Sequence, residues 1–257
     1  MNITLNLRKI PKINNWVSKM YSTTVPVTAV IGRDIQNDLE MLRQEKAMKE
    51  KCFLVDTNDK IIGSATKKDC HRVTEDEDIP LHRAFSVFLF NTRGDLLLQK
   101  RSEYKLTYPD HYTNTCCSHP LADIAGEENV QDALGIKLAA QRRLNYELGI
   151  PLDEVQPKDM LYLTRILYKD LGNGIWGEHE IDYILFIKKD VQIKPNPNEV
   201  NAICYVPRGE LNAFLPTLES PLTPWFTLIV KHRLGLWWDH LDNVKQFMDH
   251  KKIYQFS

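Results

Sequence analysis

The chain reads as a mixed α/β protein: one mixed sheet flanked by helices, with further elements added at both ends. Three observations predict this. Apolar strand-like runs alternate with segments of three- and four-residue periodicity, joined by short links. The run His82 to Phe90 turns through Asn91-Thr92-Arg93-Gly94-Asp95 into Leu96 to Arg101, a hairpin with a good turn signal. From Asn129 to Leu148, Leu134, Leu138, Ala139, Arg142, Leu144 and Leu148 recur at helical steps, and Gly149 with Pro151 ends the helix.

In chain order, Asp34 to Lys51 has the pattern of an amphipathic helix whose stripe is Ile35, Leu39, Leu42 and Met48. Cys52 to Asp56 and Lys60 to Ala65 read as strands around Thr57-Asn58-Asp59. Thr74 to Pro80 is a polar, acidic loop. After the hairpin and the 129–148 helix, Leu161 to Tyr168 and Glu178 to Lys188 read as strands linked through Gly172-Asn173-Gly174. Asn201 to Pro207 is a further strand and Arg208 to Leu215 a short helix. Thr223-Pro224-Trp225 opens a C-terminal helix, with Thr223 as cap and Pro224 in the first turn. An exposed aromatic surface around Trp237 and Trp238 is expected, which a second copy could cover. The expected state is a monomer or weak homodimer.

Composition narrows the class. A chain of 257 residues, 43% hydrophobic and with net charge -1, can bury a large core and has no electrostatic footprint for nucleic acid. No apolar run is long enough to span a membrane. Five irregularly spaced cysteines without a CxxC pair exclude a zinc knuckle and point to a reducing compartment. Residues 1–33 lack Asp and Glu and carry Arg8, Lys9, Lys12, Lys19 and Arg33. That segment is expected to be either a flexible basic N-terminus or transit-like, with 34–257 as a single domain. The expected location is cytoplasmic, or mitochondrial or another organelle if the segment is a targeting signal.

The chemistry concentrates in Tyr112-Thr113-Asn114-Thr115-Cys116-Cys117-Ser118-His119-Pro120-Leu121. Pro120 pushes His119 towards extended geometry, and the hydroxyl and amide residues favour irregular chain. The stretch reads as a short strand ending in a tight polar loop. Strand alternation puts Cys117 and His119 on one face and Cys116 and Ser118 on the other. Glu178 and Glu180 share a face in the same way. With His71, His82 and His119 they form a set of imidazoles and carboxylates suited to zinc or manganese.

The helix ending Arg142-Arg143-Leu144-Asn145-Tyr146-Glu147-Leu148-Gly149-Ile150 resembles the Nudix signature, Arg-Glu-apolar-any-Glu-Glu-any-Gly-apolar. Arg143 and Tyr146 stand where two of the signature glutamates would be. The resemblance implies a Nudix-like sheet without a working hydrolytic magnesium site. Together, the Cys117 stretch, Trp176-Gly177-Glu178-His179-Glu180, His82-Arg83-Ala84-Phe85-Ser86 and this helix resemble type 1 isopentenyl-diphosphate delta-isomerases, from about Lys51 onwards. The resemblance implies interconversion of isopentenyl and dimethylallyl diphosphate, at the head of isoprenoid and sterol synthesis. It implies catalytic roles for Cys117, Glu180 and Tyr168. A divalent metal (Zn2+ or Mn2+) is implied at His71, His82, His119, Glu178 and Glu180. It implies Mg2+ at Glu147 and the Cys117 carbonyl. Diphosphate contacts are implied at Lys67, Arg101, Lys105, Ser118 and Arg143, with Trp225 over the allyl group. The alternative reading is a Nudix hydrolase of a diphosphate substrate.

Overall fold

The computed structural model describes residues 38–257; Ile35 and the 1–33 segment lie outside them. Helix α1 spans residues 38–47. Its buried face is not the expected apolar stripe. Met48, just past the helix, is buried as expected, but Leu39 and Leu42 are exposed and Glu40 and Gln44 are buried in their stead. The reason is the surface beneath: Gln44 Nε2 donates to Asn198 Oδ1 (2.8 Å) and Glu199 Oε1 (3.1 Å), so polar partners select the face.

The strands are β1 Lys51–Val55, β2 Ile61–Thr66, β3 His82–Phe90, β4 Leu96–Arg101, β5 Tyr112–Thr113, β6 Cys116–Ser118, β7 Leu161–Asp170, β8 Glu178–Lys188, β9 Val200–Val206 and β10 Ile253–Gln255. Among the described residues they form a ten-stranded mixed sheet, with β10-β7-β8-β3-β1-β2 as its spine. β3 runs parallel to β8 and antiparallel to β6; β4 pairs with β9. The expected bounds of β3, β4 and β8 coincide with those observed, while β10, parallel to β7, has no counterpart in the sequence reading.

Side chains leave the sheet alternately to two cores. On one face Phe85, Val87, Leu89, Ile181 and Leu185 pack against α3 (Leu134–Leu148) through Ile136, Ala139, Ala140 and Leu144. On the other, Phe88, Phe90, Ile184 and Phe186 meet the C-terminal helices through Phe226, Ile229, Leu234, Trp237 and Trp238. α3 starts later than the periodicity implied. Asp132 and Ala133 are left-handed (φ 49° and 53°), so the chain before Leu134 cannot continue the helix. Its end is as expected: Gly149 has φ 64°, and a Cβ there would meet the Lys194 carbonyl oxygen at 2.3 Å.

The remaining helices are α2 Lys67–His71, α4 Leu211–Phe214, α5 Pro224–Ile229 and α6 Gly235–Asp239. A π-helical stretch, Val230–Leu234, joins the last two. One expectation fails here and another holds in part. Trp237 and Trp238 are 3% and 4% exposed, so they belong to the core and offer no interface. Thr223 is the N-cap residue of α5 and Pro224 opens it, as expected, but the Thr223 hydroxyl makes no capping bond; it donates to Thr113 Oγ1 at 2.9 Å, drawn into the network around Cys117.

Candidate active site

The metal set is assembled from four elements. His71 ends α2, His82 opens β3, His119 follows β6, and Glu178 and Glu180 lie two apart on β8. All five are buried, and one ligand atom from each lies within 4.8 Å of the others. The Nδ1 atoms of His71 and His82 face the carbonyls of Lys67 (2.6 Å) and Pro80 (2.9 Å). A carbonyl accepts, so each Nδ1 carries the proton and each Nε2 keeps its lone pair for a ligand. His71 Nε2 stands 3.0 Å from Glu178 Oε2, and His82 Nε2 3.3 Å from Glu180 Oε1. His82 Nε2 and Glu178 Oε2 nevertheless make no hydrogen bond among the described residues. Their lone pairs converge on shared space rather than on each other. Burial holds His71 near 3, hence neutral, and burial with the charge of Glu180 pushes Glu178 well above the usual carboxylate range. Burial likewise holds His119 well below its ordinary value; burial acts the same way on His82, but the adjacent Glu180 carboxylate outweighs it and pushes that imidazole up to about 9. Three imidazoles and two crowded, desolvated carboxylates fit a divalent cation, which would relieve the carboxylate repulsion and displace the proton from His82.

Beside this cluster lies the thiol. In the β3–β6 pair Ser86 faces Cys117 and Val87 faces Cys116. Cys116 therefore enters the α3 core, while Cys117 points to the other side of the sheet. Cys117 Sγ donates to Asn114 Oδ1 (3.0 Å) and accepts from Trp225 Nε1 (3.0 Å). Trp225 Nε1 also donates to Thr113 Oγ1 at 3.0 Å, and that hydroxyl donates to Asn114 Oδ1. Burial pushes the Cys117 thiol up to about 12, so it holds its proton at neutral pH.

The carboxylate is fixed from two sides. Tyr168, opposite Glu180 in the β7–β8 register, donates to Oε2 at 2.5 Å, and His119 Nε2 lies 2.8 Å from Oε1. Glu178, Glu180, His71, His119, Cys117 and Trp225 line one cavity. Ser118 also borders it, although alternation assigned it to the other face; β6 ends at Ser118 and the regular pleat ends with it.

Lys67, Arg101 and Lys105 line the same cavity. Arg101 is held by the carbonyls of Thr107 (2.7 Å) and Tyr108 (2.9 Å), with its guanidinium 5.7 Å from the Trp225 ring centre. Lys105 Nζ is 2.6 Å from Glu199 Oε2; burial, opposed by that carboxylate, pulls the ammonium down to about 8. Arg143, Glu147 and Tyr168 stand behind the lining rather than on it. Arg143 bridges Glu147 (2.5 Å) and Glu199 (3.1 Å), and the Glu147 carboxylate also accepts from Gln99 at 3.1 Å. Sequence reasoning missed Gln44, Asn114 and Glu199. Asn114 lies inside the 112–121 stretch, but its contact with sulfur depends on the conformation of the link between β5 and β6, in which it sits. Glu199 lies in a loop with no local signal.

A model of the NUDIX domain matches residues 80–226, more than half of the chain. A solved structure, DR0079 from Deinococcus radiodurans, superposes with a TM-score of 0.50 at 17% identity, covering 72% of this chain and 99% of that one, which bears on the fold alone. The chain is thus a member of the NUDIX domain family. Isopentenyl-diphosphate Delta-isomerase 1 of Mesocricetus auratus is 54% identical over 216 residues, covering 83% of this chain and 95% of the relative. Its counterpart in Bos taurus is 52% identical over 217 residues, with the same coverage. A chloroplastic isopentenyl-diphosphate Delta-isomerase 1 of Cannabis sativa is 41% identical over 260 residues, covering 97% of this chain and 89% of the relative. Within the NUDIX fold, the chain belongs to the isopentenyl-diphosphate Delta-isomerase family.

Proposed function

We propose that this chain interconverts isopentenyl diphosphate and dimethylallyl diphosphate by moving protons, with Cys117 and Glu180 as the two proton-handling groups. The observation that carries the reading is their meeting on one cavity that also presents Trp225 and the cations Lys67, Arg101 and Lys105. The reaction forms one C–H bond at the terminal alkene carbon and breaks another on the far side of the branched carbon. The electron pair of the broken bond becomes the new double bond. That needs an acid and a base on a five-carbon chain, and a thiol with a carboxylate supplies both. The two exchange roles when the reaction runs backwards.

Protonation leaves a tertiary carbocation, which water would quench, so the cavity must be dry. The buried Trp225 indole offers the cation its π face, worth roughly 2 kcal/mol when desolvated. Tyr168, donating to Glu180 Oε2, holds that carboxylate in one orientation. Lys67, Arg101, Lys105 and Ser118 bind the diphosphate, with Arg143 adding charge from behind. A Zn2+ or Mn2+ ion at His71, His82, His119, Glu178 and Glu180 would fix the Glu180 carboxylate electrostatically. Mg2+ at Glu147 and the Cys117 carbonyl would offset diphosphate charge. No described helix is long and apolar enough to cross a membrane.

Hydrolysis is disfavoured because Arg143 and Tyr146 stand where two of the three signature glutamates would hold the hydrolytic magnesium. The deciding variant is Cys117→Ala. It is expected to keep its fold and metal and to lose turnover by orders of magnitude; wild-type turnover would remove Cys117 from the mechanism.

A further inference from the structure

Two side chains beside the thiol have no part in the mechanism above. Ser86 on β3 and Asp182 on β8 are each 1% exposed. Both face the Cys117 side of the sheet, Ser86 directly opposite Cys117 in register and Asp182 two residues along from Glu180. Ser86 Oγ lies 3.4 Å from Cys117 Sγ and donates to Asp182 Oδ2 at 2.7 Å. The other carboxyl oxygen, Oδ1, is buried and makes no hydrogen bond among the described residues. Its strand neighbours in register are Ala84 and Ile166, and β8 continues on that face into Ile184 and Phe186.

A carboxyl group withdrawn from water with one hydrogen bond is a net cost to folding, and an apolar side chain would avoid it. Stability therefore does not account for Asp182. Its one described partner is a hydroxyl aimed at the thiol. A hydroxyl carries one proton and two lone pairs. With the Ser86 proton directed at Asp182, a lone pair remains for the S–H of Cys117. Asn114 Oδ1, 3.0 Å away, is the other acceptor for that same proton.

We propose that Asp182 and Ser86 are a positioning pair for Cys117: Asp182 fixes the Ser86 hydroxyl, and Ser86 with Asn114 confines the thiol proton to the arc between them. The inference rests on the role given to Cys117 above. Without Ser86 the thiol proton is drawn to the Asn114 side, where Thr113 Oγ1 also stands 3.9 Å from the sulfur, and leaves the arc; without Asp182, Ser86 is free to rotate away.

The test is a double-mutant cycle on the full chain, with kcat and KM for isopentenyl diphosphate measured separately. Ser86→Ala and Asp182→Ala should each lower kcat roughly 10- to 100-fold, with KM held within about twofold. Because Asp182 acts through Ser86, the double variant should be no slower than the slower single variant. Ser86→Thr, which keeps the hydroxyl, should recover most of kcat. Asp182→Leu guards against misfolding: it should melt no lower than the parent and still show the Asp182→Ala loss. Unchanged kcat in Ser86→Ala, losses that multiply in the double variant, or full kcat in folded Asp182→Leu would each overturn the pair. Cys117→Ala separates the two ideas. If it stays active, the thiol reading fails and takes this inference with it; if it is inactive while Ser86→Ala is not, only the positioning pair falls.

Discussion

Arg143→Met should cost stability and substrate affinity for separable reasons. The guanidinium is 5% exposed and bridges two carboxylates that are 6% and 2% exposed, Glu147 and Glu199. Burial opposes charge on both, but Arg143 on Glu147, and Lys105 with Arg143 on Glu199, outweigh it and hold them below the usual carboxylate range. Removing one partner of a buried ion pair costs about 3–5 kcal/mol. Gln99 still donates to Glu147 and Lys105 to Glu199, so the lower end applies, about 3 kcal/mol. In a body of this size each kcal/mol shifts Tm by about 2–4 °C, giving a fall of roughly 6–12 °C by calorimetry. The sign with pH follows. In the parent the two carboxyl groups have depressed values, so their stabilisation is present at neutral pH and lost as pH falls through those values. In the variant Glu147 loses the largest charge that opposes burial, while Lys105 still acts on both carboxylates and Gln99 on Glu147, so the depression weakens and the lost stabilisation belongs to the charged forms. The deficit should therefore be largest at neutral pH and shrink on acidification. Adding Glu147→Gln and Glu199→Gln should recover Tm but not KM. A single variant with parental Tm at neutral pH would refute the buried-pair argument.

Two further outcomes follow from the cavity walls. Lys105 binds diphosphate only when protonated, so kcat/KM should fall as pH rises through about 8 while kcat stays level. Lys105→Met should abolish that limb, and an unchanged profile in it would assign the limb elsewhere. Trp225→Phe keeps a ring against Tyr108 but loses the N–H bonds to Cys117 and Thr113, and should lose roughly 10-fold in kcat. Trp225→Leu, with no π face, should lose on the order of 30-fold. Equal kcat in the two would remove the cation-stabilising role.

Much of the sheet was legible because its strands are bounded by strong signals. β3 is closed by Asn91 to Asp95, and its observed ends are the expected ones. Which face each residue takes was hidden, because all nine positions are buried, the polar His82, Arg83 and Ser86 among them. Glu178 and Glu180 declared their shared face through period 2, and Asp182 continues that period, a signal passed over because Ile184 and Phe186 follow it. The α1 stripe misled because periodicity reports apolar burial, whereas that helix covers Asn198 and Glu199. The meeting of His71, His82 and His119 from three elements is a property of topology; their residue types suggested a metal set, and the family resemblance was needed to bring them to one site. The late start of α3 and the burial of Trp237 and Trp238 depend on backbone geometry and packing between elements distant in the chain.

The most direct test of a thiol and a carboxylate exchanging protons with a five-carbon diphosphate is turnover of isopentenyl diphosphate in deuterated water, followed by mass spectrometry of the allylic product. The parent chain should place solvent deuterium in the product, while Cys117→Ala and Glu180→Gln, folded and metal-loaded, should place none. Unlabelled product from the parent, or parental labelling from Cys117→Ala, would contradict the account.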